Sequence, residues 1–208
     1  MIDIGSGLGG PSRYLAKRFG CSVVDVDLSA SFVAAATYLA DRTGLGDRVT
    51  YQQADALALP FPSGSFDVAW TQHVAMNIEN RERLYAEAFR VVKPGGLFAV
   101  YDIVAGAAGP LIFPVPRAAM APQSFLLSPE AMQTALTQVG FAIGNWKDRT
   151  EAGVAWFREH AASANKDSPP KLGLHVVMGP EFPAMSGNLL RNLAEGRAGL
   201  VEAILLRP

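Results

Sequence analysis

The chain has 208 residues, half of them hydrophobic, and a formal net charge of −1. That length suffices for one ordinary core, and a near-neutral charge with no basic stripe argues against a nucleic-acid partner. No apolar run approaches the ~20 residues of a membrane span, nothing resembles a signal peptide, and the single cysteine, Cys21, reads as a small buried apolar residue, so a reducing cytoplasm is the expected setting.

The first element is a short strand over residues 1–4. It runs into Gly5-Ser6-Gly7-Leu8-Gly9-Gly10-Pro11 and then a helix carrying Tyr14, Leu15, Arg18 and Phe19. A strand feeding a tight glycine turn and a helix brings bare backbone up to a nucleotide-like ligand in a parallel α/β sheet. Gly5, Gly7 and Gly10 satisfy the dinucleotide pattern, so an NAD(P)-dependent oxidoreductase is one reading. Asp3, with Gly5, Gly7 and Gly9, gives a different one, D-x-G-x-G-x-G. A pyrophosphate has little use for a negative charge before the turn, whereas a sulfonium ligand with a free ammonium does. Asp3 can also be a buried carboxylate that merely satisfies loop amides.

A second strand over 22–29 ends in an acid. Asp27 lies about 20 residues beyond the glycines, the spacing at which a carboxylate meets ribose hydroxyls. Asp25 competes, but Asp27 is nearer the strand's carboxyl end, where ligands bind. Ser29 caps a helix running to Thr43, with Gly44 as terminator. Ala54-Asp55-Ala56-Leu57-Ala58-Leu59-Pro60-Phe61 then precedes Ser65-Phe66-Asp67-Val68, and Lys93-Pro94-Gly95-Gly96 precedes a strand over 97–102.

In this order and spacing the four segments, across residues 3–102, resemble the class I S-adenosylmethionine (SAM) methyltransferases of small molecules. The stretch Gln72-His73-Val74-Ala75-Met76-Asn77-Ile78 is similar to the sarcosine/dimethylglycine methyltransferase group and its bacterial relatives. So is the run from Tyr101 to Phe113-Pro114-Val115-Pro116, although such relatives often carry an aromatic residue where this chain has Arg117.

The resemblance implies a single SAM-binding domain over 1–208. Its fold is a Rossmann-like, doubly wound α/β sheet of seven mainly parallel strands with an antiparallel edge hairpin, here without the amino-terminal lid helices. It implies SAM as cofactor and S-adenosylhomocysteine as product, held by Asp3, Gly5, Gly7, Gly9, Asp27, Leu28, Asp55, Ala56 and Gln72. Asp55 would accept from the adenine amino group, and the Ala56 amide would meet the ring. No metal is expected. The partner is a small-molecule methyl acceptor, with N-methylation of an amine preferred to O- or C-methylation. His73 and Tyr101 are the catalytic candidates, and Asn77 and Arg117 the substrate-side ones. His73 can serve as general base or pack beside the cofactor, and Asn77 can instead cap the helix near Arg81. An inactive SAM-fold fragment is a further reading, because the lid helices would form one wall of the site.

Beyond Asp102 a Gly-, Ala- and Pro-rich stretch is expected to form a substrate-side loop at 104–127. Ser128-Pro129-Glu130 starts a helix cleanly, ending at Gly140. Strands are expected over 141–149 and 199–206. Between them an insertion at 150–196 covers the substrate mouth. It holds a helix around 152–162, a loop at Pro169-Pro170 and a helix near 187–195. Trp146 and Trp156 read as core.

Overall fold

The computed structural model describes residues 1–163 and 173–208. Seven strands follow in chain order: β1 (Ile2–Ile4), β2 (Val23–Asp27), β3 (Val49–Gln53), β4 (Phe66–Gln72), β5 (Val92–Ala105), β6 (Ala142–Asp148) and β7 (Ala198–Leu206). They form one sheet in the order β3-β2-β1-β4-β5-β7-β6. β1 to β5 pair in parallel, and β7 lies antiparallel between β5 and β6. Helices α1 (Gly10–Phe19), α2 (Ala30–Arg42), α3 (Arg81–Val91) and α4 (Pro129–Gln138) accompany the sheet, followed by α5 (Thr150–Ser163), α6 (Leu174–Met178) and α7 (Phe182–Ala194). This is the expected Rossmann-like arrangement.

Alternation along β5 divides the interior in two, because successive side chains of a strand point to opposite faces. Phe98, Val100 and Val104 join Val201, Ala203 and Leu205 of β7 in the main core with Leu84, Tyr85 and Ala88 of α3 and Met132 and Leu136 of α4. Tyr101 and Ile103 face the other way, toward Leu200, Phe157 of α5 and Leu189 and Leu193 of α7. Helix starts follow their capping chemistry: Ser29 Oγ accepts from the Phe32 amide and Ser128 Oγ from the Ala131 amide.

Several details differ from the sequence expectations, among them that β5 takes in Lys93-Pro94-Gly95-Gly96, expected to precede the strand. α7 begins at Phe182 rather than 187, because Pro183 is tolerated in the first turn of a helix, where an amide proton has no partner to lose. α6 was not foreseen, since five residues give no readable period, and the Pro169-Pro170 loop lies outside the described residues. Trp146 packs half-buried against the main core, but Trp156 is 53% exposed on α5 and is not a core residue.

Beneath α1, Asp3 of β1, Asp25 of β2 and Ser12 share a dry space. Ser12 Oγ lies 2.5 Å from both Asp3 Oδ2 and Asp25 Oδ1. A hydroxyl has one proton to donate, so one of these bonds runs from Ser12 and the other from a carboxyl O–H to Ser12. The parallel register that sets Asp3 beside Asp25 is thus reconciled with burial by a shared proton. Burial is the largest cause pushing both carboxyls up toward neutrality, and the Asp3 charge pushes Asp25 further.

Both groups hold a proton more tightly folded than unfolded, so the native state binds more protons than the unfolded chain. The pair's contribution to stability is therefore complete in acid and is lost as pH rises from about 4 through about 8. Urea unfolding at about pH 5 and pH 8 should show this decline flattened in Asp25→Asn, which keeps a donor in place at every pH. An unchanged slope in that variant would place the proton elsewhere.

Candidate active site

The carboxyl ends of β1, β2, β4 and β5 open on one edge, and the loops that leave them surround a cleft of about 2440 Å³. Ordinary ligand pockets measure roughly 300–1,000 Å³, so this one has room for two molecules at once.

The glycine turn makes the first wall. Gly5 and Gly7 adopt φ of 80° and 55°, which only glycine takes without cost. A Cβ on Gly5 would meet the Val74 side chain at 2.5 Å, whereas one on Gly7 would meet nothing within 4 Å, because Gly7 faces the open cleft. The Gly5 and Ser6 amides donate to Val26 O. Gly7 N donates to Asp27 Oδ2 at 2.9 Å and Ser29 N to Asp27 Oδ1 at 2.8 Å. A carboxylate has about four acceptor sites, so each Asp27 oxygen keeps capacity for another donor, the requirement for holding two neighbouring hydroxyls. Leu28, on the same loop, borders the cleft.

Asp55 and Ala56 line the second wall. Asp55 Oδ1 accepts from the Leu57 amide at 2.8 Å, leaving its other oxygen for a ligand. Their loop is held from behind by α3. Glu87 accepts from the Leu59 amide, Arg90 donates to the carbonyls of Leu59 and Phe61, and Arg83 donates to that of Leu57. The Arg90 guanidinium keeps the Glu87 carboxyl below its ordinary range.

Gln72, His73, Asn77 and Tyr101 meet at the ends of β4 and β5. His73 has φ 57°, an uncommon conformation for a non-glycine residue and one that gathers at functional sites. Its amide donates to Tyr101 O at 2.9 Å, and its ring stands edge-on to the Tyr101 ring at 5.3 Å. His73 is exposed toward the cleft; crowding of its ring by the protein, then the charge of Arg117, lowers its pKa. One side of the ring opens on the cleft, so the depression deepens when a ligand displaces water there. Asn77 Nδ2 donates to His73 O. The cap of α3 is Asn80, whose Oδ1 accepts from the Arg83 amide.

Arg117 borders the cleft from the loop after β5. Its three guanidinium nitrogens are buried without a hydrogen-bond partner among the described residues, and burial lowers its pKa to about 10. The charge of Asp102 offsets part of that lowering. Trp156, Phe157, Leu189 and Leu193 border the same cleft, as do Arg149 and Glu202, an ion pair at 2.9 Å.

Two of the residues selected from sequence are not at the cleft. Asp3 lies below it in the shared-proton cluster. Gly9 opens α1 with φ 67° against the Tyr51 ring. Trp156, Arg149 and Glu202 were missed, because the register that sets Glu202 beside Tyr101 joins residues a hundred positions apart. Among the described residues no cluster of His, Cys, Asp or Glu could hold a metal, and no helix is long and apolar enough to cross a membrane.

Residues 2–100 match the family described as a methyltransferase domain. Over 104 residues the chain is 36% identical to a sterol 24-C-methyltransferase of Yarrowia lipolytica, a match covering 50% of this chain and 27% of that protein. The chain therefore spans about a quarter of the length of that curated relative. It superposes on phosphoethanolamine N-methyltransferase 2 of Haemonchus contortus, solved with SAM, at TM-score 0.82 and 22% identity, covering 100% of this chain and 48% of that one. A Galdieria sulphuraria protein, provisionally described as a sarcosine dimethylglycine methyltransferase, gives TM-score 0.77 at 17% identity, covering 98% and 76%. At these identities the structural likeness shows the fold.

Asp27→Ala should weaken binding of S-adenosylhomocysteine by about 1.5–3 kcal/mol, the range for hydrogen bonds to a charged group, with the fold retained. Unchanged affinity by calorimetry would remove Asp27 from the ligand's contacts.

Proposed function

We infer from the match of residues 2–100 to a methyltransferase-domain family, together with the cleft's geometry, that the chain moves a methyl group from SAM to a small molecule bound in the same cleft. The observation that carries this is Asp27, braced by one amide on each oxygen and able to take a ribose hydroxyl on each. Asp55 and Ala56 suit the adenine, Leu28 and Gln72 flank it, and Gly5 and Gly7 let the ligand approach bare backbone. The other readings, an oxidoreductase or an inactive fragment, gain no support from the family match.

SAM brings a methyl group already activated on a sulfonium, so the protein's task is alignment, which can supply ~7–11 kcal/mol of the barrier. We assign the acceptor's nucleophile to the part of the cleft lined by His73 and Tyr101. A neutral imidazole accepts a hydrogen bond from that group and orients it. Storing a full proton on His73 would place a second positive charge beside Arg117. A neutral amine needs only to be aimed, which favours N-methylation over transfer to a hydroxyl that must be deprotonated. The relatives' acceptors differ by name, a sterol in one and phosphoethanolamine in another, so this preference rests on the cleft's own groups.

Titration with SAM, S-adenosylhomocysteine and NAD should show binding of the first two only; binding of NAD alone would sink the proposal. Asp55→Ala should lose cofactor affinity. With an acceptor found by screening glycine, sarcosine, dimethylglycine, phosphoethanolamine and small phenols, His73→Ala or Tyr101→Phe should lower kcat more than tenfold, over ~1.4 kcal/mol, and barely alter SAM affinity. Full turnover in both variants would move the acceptor elsewhere. Because its surroundings lower the His73 pKa, any inflection that His73 gives the rate should fall below pH 6.5.

A further inference from the structure

The Arg117 guanidinium has no hydrogen-bond partner among the described residues, and the backbone that carries it is held by hydrogen bonds. Val115 and Ala118 exchange two backbone hydrogen bonds, of 2.8 and 3.0 Å, around Pro116 and Arg117. α7 clamps the segment leading there: Asn192 both accepts from the Ile112 amide and donates to its carbonyl, and Asn188 donates to Pro114 O. The acid that acts on Arg117 by charge is Asp102. Its oxygens already accept from the amides of Ile103 and Met76, with Arg81 at 3.8 Å. A guanidinium is a planar fork of five donors matched to carboxylate or phosphate. A guanidinium on backbone held this way, beside the cleft and without a hydrogen-bond partner among the described residues, is suited to an anion that arrives with the ligand. Trp156, Phe157, Leu189, Leu190 and Leu193, from α5 and α7, give the same cleft an apolar lining. The nearby charges of Arg149 and Glu202 neutralise each other.

We propose that Arg117 binds a carboxylate or phosphate carried by the methyl acceptor, and that the acceptor's apolar body lies against α5 and α7. This rests on the cleft being the methyl-transfer site, and it narrows the acceptor to an anionic amphiphile.

The test titrates decanoate, decyl phosphate, decanol, decylamine and inorganic phosphate into the full chain, both unliganded and saturated with S-adenosylhomocysteine. The two acids should bind about tenfold or more tighter than decanol or decylamine, and decyl phosphate should bind about tenfold tighter than inorganic phosphate. Whichever acid binds better identifies the head group. Arg117→Met should abolish the preference for acids while changing S-adenosylhomocysteine affinity less than about twofold. Without probe, that variant should melt no lower than the parent, since a guanidinium without a hydrogen-bond partner among the described residues is gone, and it should lose the melting-temperature rise that the acids give the parent. Acid preference unchanged in Arg117→Met overturns the proposal, as does parent protein that favours decanol or decylamine. A lower melting temperature in the variant, with no acid-induced rise in the parent, would make Arg117 a structural partner of Asp102 and also overturn it. Inorganic phosphate binding as tightly as decyl phosphate removes the apolar body from the proposal. Acid binding through Arg117 in a chain that does not bind S-adenosylhomocysteine would defeat the methyl-transfer reading instead, and would do so separately.

Discussion

One carboxylate organises the cleft. Asp27 ends β2 and holds the Gly7 amide on one oxygen and the Ser29 amide on the other, so the turn after β1 and the start of α2 are tied through a single side chain. An asparagine could not do this, because its amide nitrogen would face a donor where the carboxylate offers an acceptor. The tie is possible because β1 and β2 are parallel and in register, Ile4 beside Val26, so both loops leave the sheet at the same edge. Next along that edge, Ala54 N donates to Asp27 O, which brings Asp55 to the opposite wall.

Around this tie the protein manages buried charge in three different ways. Asp3 and Asp25 share a proton through Ser12. Asp102 accepts two backbone amides and sits 3.8 Å from Arg81, yet burial still raises its pKa to about 6. Arg117 has only the charge of Asp102 and no hydrogen-bond partner among the described residues. The first two serve the folded state on its own terms. The third is a strain that the folded state does not resolve, and it stands beside His73, whose backbone is itself in a disfavoured conformation. Costs gathered at one place, around a cleft, are the pattern expected where geometry serves a ligand rather than stability.

Much of the fold was legible locally. Ser29 and Ser128 announce their helices by side-chain caps that act within three residues, and the buried strands read as short Val- and Ile-rich runs because parallel strands are covered on both faces. The cleft-facing turn was legible for a related reason: Gly5, Gly7 and Asp27 lie on two consecutive strand–loop units, and the spacing between them follows from one helix. Trp156 was misread because an aromatic at helical spacing carries no mark of which face it occupies. Asn80 rather than Asn77 caps α3 because the turn at Ala75–Asn77 is followed by a further extended stretch, which local propensity does not reveal.

The amino-acid order by itself determined which segments become strands and helices and which residues stand at the strand ends, since capping, glycine conformation and buried apolar runs act over a few residues. It also carried the likeness to SAM-dependent methyltransferases, through four segments in order. Tertiary structure decided what those strand-end residues face. The lateral register of β1 with β2 sent Asp3 to Ser12 and Asp25 rather than to the cleft. The antiparallel register of β5 with β7 brought Glu202 beside Tyr101, and the docking of α7 on the loop after β5 left the Arg117 guanidinium beside the cleft without a hydrogen-bond partner among the described residues. Such outcomes depend on contacts between residues far apart in the chain, whose energies are set by packing and burial and so leave no local trace in the sequence.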